Sequence, residues 1–140
     1  MKNLVLVFGL FSLVSTAHAE VSTLGHEMQT FMRCSPAHII MDAGMEIELR
    51  QERVGSYADA VVTSTSLFGV RNQVYNDVKS RPEITQGDIV SGTIYTAHKA
   101  GREFELIVDF GHRHGDASPA VLELGGIKRD MLCQRFVVLF

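Results

Sequence analysis

Apolar residues recur along this chain with two different periods. Between Glu20 and Arg33, the residues Val21, Leu24, Met28, Phe31 and Met32 stand at helical spacing, Ser22 or Thr23 is available as a cap, and Cys34-Ser35-Pro36 ends the run. This predicts a short N-terminal helix or arm. From Ile39 the period becomes two. Ile39, Met41, Ala43, Met45, Ile47 and Leu49 alternate with positions that include Asp42, Glu46, Glu48 and Arg50, the pattern of a strand with one buried face. Phe104, Leu106, Val108 and Phe110 repeat it against Glu103, Glu105 and Asp109. Ile89 to Ala97 is rich in β-branched residues, and Lys99-Ala100-Gly101-Arg102 supplies a turn that folds it back on the next strand. Val62 to Leu67, Val121 to Leu124 and Phe136 to Phe140 read as further strands. Gly87, Gly115, Gly125-Gly126, Pro82 and Pro119 read as punctuation between them. Val70, Val74 and Val78 fit either period, and valine favours the strand.

Shifting the chain against itself by 57 residues places 44–71 over 101–128 without a gap. Gly44/Gly101, Glu46/Glu103, Glu48/Glu105, Leu49/Leu106, Asp59/Asp116, Ala60/Ala117, Leu67/Leu124 and Gly69/Gly126 are then identical, where chance gives about two identities. Each stretch reads as strand, polar loop, strand, glycine. Two such units, each unable to bury its apolar face alone, predict an all-β domain: a small antiparallel barrel or sandwich of about six to eight strands.

The first residues, MKNLVLVFGLFSLVSTAHA, carry Lys2, an apolar run from Leu4 to Val14 and small residues at Ala17 and Ala19, which is the pattern of a secretory signal removed before Glu20. The run is shorter than the roughly 20 apolar residues that span a bilayer. The expected mature chain, 20–140, is one domain, periplasmic or secreted. Charge sharpens that picture only by exclusion: the full sequence has 13 basic and 16 acidic residues, a formal net charge of −3, which becomes −4 (12 − 16) once Lys2 leaves with the signal, and no Lys/Arg cluster stands ready to hold nucleic acid. Export makes the two cysteines informative. Cys34 and Cys133 are expected to form a disulfide across a loop of about 100 residues, which leaves no cysteine nucleophile.

Phe110 to Pro119, FGHRHGDASP, holds the densest set of ligand-type side chains. On an extended segment His112 and His114 point to one side, and Asp116, Asp109 or His98 would complete a transition-metal shell. The repeat favours a different reading. His112 and His114 lie over Gly55 and Tyr57, in the variable part of the connection, while the shared Asp-Ala leads into the next strand. Glu46 with Glu48, and Glu103 with Glu105, read as the solvated faces of strands rather than as acid/base pairs. No nucleophile motif is present, so the chain is read as a non-catalytic binding protein without a cofactor, its partner an unidentified protein or small ligand.

Ser91-Gly92-Thr93-Ile94-Tyr95 is similar to the S-G-x-x-Y motif of the membrane-bound and periplasmic C-type lysozyme inhibitors, over five residues of which three are specified. The resemblance implies a small exported β-barrel with a disulfide, with Ser91 and Tyr95 as inhibitory residues and Ser91 as the one that contacts the catalytic cleft of a lysozyme. A further alternative comes from Phe136, Val138 and Phe140, which alternate up to a terminal aromatic as in small outer-membrane barrels.

Overall fold

In the computed structural model, described over residues 27–38, 44–85, 87 and 89–137, the protein is all-β. Nine strands occur among these residues: β1 (Met28–Pro36), β2 (Met45–Glu52), β3 (Ala58–Ser66), β4 (Gly69–Tyr75), β5 (Lys79–Thr85), β6 (Ile89–Lys99), β7 (Arg102–Asp109), β8 (Ala117–Leu124) and β9 (Ile127–Arg135). They form one sheet in the order β4-β3-β2-β1-β9-β8-β7-β6-β5, antiparallel at every pairing.

The order is that of a meander, except that β1 and β9 meet in its middle and leave β4 and β5 as the edges. Only residues 76–78 separate those two strands in the chain. Because the neighbours alternate in direction across nine strands, β4 and β5 run the same way, as two segments of one bent path. Its first segment pairs with β3, a contact extended by the Val78 N–H donating to the Ala58 carbonyl (2.8 Å). After a bend at Asp77, whose φ is 55°, its second segment pairs with β6. The sheet therefore curls. In a flat sheet β1 and β6 would lie about 19 Å apart at about 4.8 Å per strand, yet the rings of Phe31 (β1) and Tyr95 (β6) have centroids 6.1 Å apart. Tyr75 (β4) and Phe104 (β7) likewise come to 5.3 Å. The result is a curled sheet around one core, not closed by pairing between β4 and β5.

The alternating residues read from sequence fill that core. Ile47 and Leu49 from β2 and Phe104, Leu106 and Val108 from β7 are buried, with Met32, Val62, Tyr75, Leu122 and Met131. Cys34 and Cys133 stand directly opposite each other on β1 and β9 and form the expected disulfide, also within the core. The β6–β7 connection is the expected two-residue turn, with Ala100 and Gly101 both at positive φ, as a turn of type I′ requires.

The helix expected over Glu20 to Arg33 is not what the described residues adopt. Met28 to Arg33 belong to β1, which pairs with β2 from Met28 onward and with β9 from Met32 onward. A register shift between Thr30 and Met32 inserts Phe31 as an extra residue, which breaks the period of two and leaves Met28, Phe31 and Met32 at a spacing that imitates a helix. The signal segment, the start of that helix, Ile39, Met41 and Ala43, and the end of the chain from Val138 lie outside the described residues. Pro82 and Pro119 are not punctuation but strand residues. Pro82 sits on edge strand β5, and Pro119 pairs with Leu132 just beyond the last β7–β8 partners, Val108 and Ala120. Each is thus placed where a missing N–H breaks little of the ladder. The strand expected over Phe136 to Phe140 is not found at its start, since β9 ends at Arg135 and Phe136 and Val137 belong to no strand.

The two similar stretches coincide in their first strands, since Met45–Glu52 and Arg102–Asp109 differ by the same 57 residues. Their second strands do not share a register. Ile47 faces Val62, while Phe104 faces Leu124 rather than Pro119, the residue at the same offset from Val62. Accordingly Ala60 and Val62 line the core in β3, but Ala120 and Leu122 do so in β8. The longer β7–β8 connection accounts for the difference. Position along the repeat therefore does not decide the role of the histidines, and their contacts have to.

Candidate functional site

At one end of the curled sheet, inward-facing positions run past the filled core. Continuing the alternation of Ile47 and Leu49 brings Gln51 to that end of β2. Continuing Met131 and Cys133 brings Arg135 to the end of β9, and continuing Val108 brings Phe110 past the end of β7. Ser80 on β5 pairs with Tyr95 on β6 at the same level. With Phe31 and with Phe136 and Val137 beyond β9, the side chains of Gln51, Ser80, Tyr95 and Arg135 line a depression of about 500 Å³. The Phe31–Tyr95 ring contact forms part of its wall. The Arg135 guanidinium lies 4.5 Å from the centroid of the Phe110 ring, and that of Arg33 lies 5.7 Å from Phe136. The Phe136 N–H donates to the Phe31 carbonyl (2.8 Å), which fixes the chain just past β9 beside β1. The mouth thus offers aromatic surface, one guanidinium and two neutral polar side chains.

Tyr95 of the sequence-predicted pair belongs to this mouth, buried in it and packed on Phe31. Ser91 lies four residues earlier on β6, half-buried, and its carbonyl accepts from the N–H groups of Phe110 (2.9 Å) and Gly111 (3.2 Å). Gly92 between them has a structural reason to lack a side chain: a Cβ there would collide with the Val108 carbonyl oxygen across the β6–β7 pair. Gln51 and Arg135 carry no site motif in the sequence, and Phe31 stands there only among residues at helical spacing. The signal that would have found Arg135 is its place two residues after Cys133, at the parity of the core.

The chain matches no family model, no curated protein and no solved structure. Its reading rests on its own side chains.

The 110–116 connection is organised locally. His112 Nδ1 lies 2.7 Å from Asp109 Oδ2, the Gly111 N–H donates to Asp109 Oδ1 (2.8 Å), and His114 exchanges backbone hydrogen bonds with Ala117. The His112 side chain is 82% exposed, and Asp116 is exposed in the turn. Among the described residues no group of three or more His, Cys, Asp or Glu is placed to hold a metal ion. His98 lies instead at the opposite end of β6, 3.7 Å from Glu103. Glu46 and Glu48 flank Arg33, at 3.5 and 2.6 Å. Asp59 and Asp116, read from sequence as sharing one job, do not share it: Asp59 is fully buried and takes both oxygens to the Arg50 fork at 2.8 Å each.

The hydrogen bond from His112, helped by the Gly111 N–H, holds the Asp109 carboxyl below the usual carboxylate range. A depressed value in the folded state stabilises the loop above the unfolded pKa of about 3.9, and this is lost as pH falls through the lower folded value. His112→Ala is expected to raise the Asp109 midpoint toward the ordinary range in an NMR titration of the carboxyl carbon. An unchanged midpoint would show that the contact does not set it.

Proposed function

We propose that the chain is an exported, non-catalytic binding domain that takes an apolar or aromatic group bearing a negative charge into the mouth of the curled sheet. The observation that carries this is the convergence of Phe31, Tyr95, Phe136 and Arg135 on one depression of about 500 Å³, within the size range of small-molecule sites and with their usual mixture of apolar walls and few polar groups. Export is supported by the N-terminal pattern and by the disulfide, a bond that persists in oxidising compartments. Among the described residues no helix is long and apolar enough to cross a membrane.

The test is an NMR titration of the isotope-labelled protein with anilinonaphthalene sulfonate, an aromatic anion. Shifts are expected at the amides of Phe31, Ser80, Tyr95 and Arg135, with affinity reduced about tenfold in Arg135→Glu, as for loss of one charge-assisted contact. Shifts confined to the hairpin tips, or equal affinity in the variant, would remove the mouth as the site.

A second reading follows from β6, which carries Ser91 to the same end of the sheet as Tyr95's mouth. If the S-G-x-x-Y resemblance reflects function, the partner is a C-type lysozyme and the chain inhibits it. Absence of inhibition at large molar excess would discard that reading while leaving the titration untouched.

A further inference from the structure

The two edges of the sheet differ in a way that points to a partner. Edge β5 is guarded: it carries Lys79, Arg81 and Pro82, and its pairing with β6 is interrupted by a bulge at Glu83/Ile84. Charges, proline and bulges are the usual means of keeping an edge from pairing with another chain. Edge β4, Gly69–Tyr75, has no proline and no bulge against β3, and Arg71 is its single charged residue. Among the described residues no strand pairs with its outer side. It rises from a turn whose Leu67 and Phe68 are 102% and 99% exposed, the two most exposed large apolar side chains of the described residues, and continues into Val70, also exposed.

We propose that β4 pairs antiparallel with β4 of a second copy of this chain, about a two-fold axis through Asn72. The sequence of the strand, Gly-Val-Arg-Asn-Gln-Val-Tyr, is nearly symmetric about that residue. In this register Val70 faces Val74 of the second copy twice over, Asn72 faces itself, and Arg71 faces Gln73. Each Val70–Val74 contact is a β-branched cross-strand pair, and no like charges are opposed. Centring the axis on Arg71 would set two guanidinium groups against each other, so charge excludes that register, and the paired Val70–Val74 contacts favour Asn72 over an axis on Gln73. The contact is isologous and uses one edge per copy, so it closes at two chains. Guarded β5 does not extend it.

Sedimentation velocity of the full chain over a wide concentration range tests this. The mass is expected to shift from one chain to two, and Val70→Lys to weaken association roughly tenfold or more while the far-UV spectrum is unchanged. Ile84→Lys, on the other edge, is expected to associate as the unaltered protein does. Register is read separately: under mild oxidation Asn72→Cys should cross-link two chains, and Val70→Cys should not, because Val70 faces Val74. A single-chain mass at every concentration, unaltered association of Val70→Lys, or cross-linking through position 70 in place of 72 would each overturn the proposal.

Discussion

Asp59→Ala is expected to cost about 3–5 kcal/mol of folding stability, the range for removing one partner of a buried ion pair. Arg50 and Asp59 face each other across β2 and β3, joined by two hydrogen bonds of 2.8 Å, with the side chains 7% and 0% exposed. Planar guanidinium and carboxylate meet here in the two-pronged geometry that makes such pairs strong. Truncating Asp59 takes the bidentate carboxylate from a buried guanidinium, and the lost charge pairing accounts for most of the cost. The double variant Arg50→Met/Asp59→Leu should regain most of the loss, since an apolar pair of similar volume removes both desolvation penalties. Urea unfolding of the three proteins measures this. A loss below about 1 kcal/mol in Asp59→Ala would mean that the pair is hydrated like a surface contact. Because Arg50 precedes Gln51 in β2, loosening of the pair should also reach the mouth.

Replacing both cysteines by alanine is expected to cost about 4–5 kcal/mol, the chain-entropy contribution of a bridge closing about 100 residues. Its position makes the effect more than entropic bookkeeping. β1 and β9 carry the two ends of the described chain, and their pairing, 99 residues apart at the cysteines, joins the two halves of the sheet. Phe31 belongs to β1 and Arg135 to β9, so reduction should weaken binding at the mouth along with stability. Urea midpoints of the oxidised protein and the double alanine variant, compared at equal slope, test the first effect. Equal midpoints would show that the bridge merely decorates a seam already held by the ladder and the core.

Much of the strand content was legible because alternation survives wherever the ladder is regular. Ile47, Leu49, Phe104, Leu106 and Val108 point inward as their spacing requires, and Lys99-Ala100-Gly101-Arg102 turns as its residues demand. The reading failed where the period is interrupted. The bulge at Phe31 made β1 resemble a helix, and Pro82 disguised β5 because an edge strand tolerates what an inner strand would not. The 57-residue match coincides with β2 and β7, but the likeness does not extend to the strands that follow them. Asp59 and Asp116 are identical in sequence and opposite in burial, because a longer connection changed the register of the second strand.

The chain's own pattern thus determined an all-β domain and its disulfide, since period, turn chemistry and an even cysteine count are local or nearly local properties. Tertiary structure alone decided that β1 joins β9, that β4 and β5 become edges, and that Phe31, Tyr95 and Arg135 share one mouth. Those residues stand 64 and 40 positions apart along the chain and line one depression because the sheet curls. Curl depends on the summed twist of the strands and the bend at Asp77, and no short stretch of sequence records that sum.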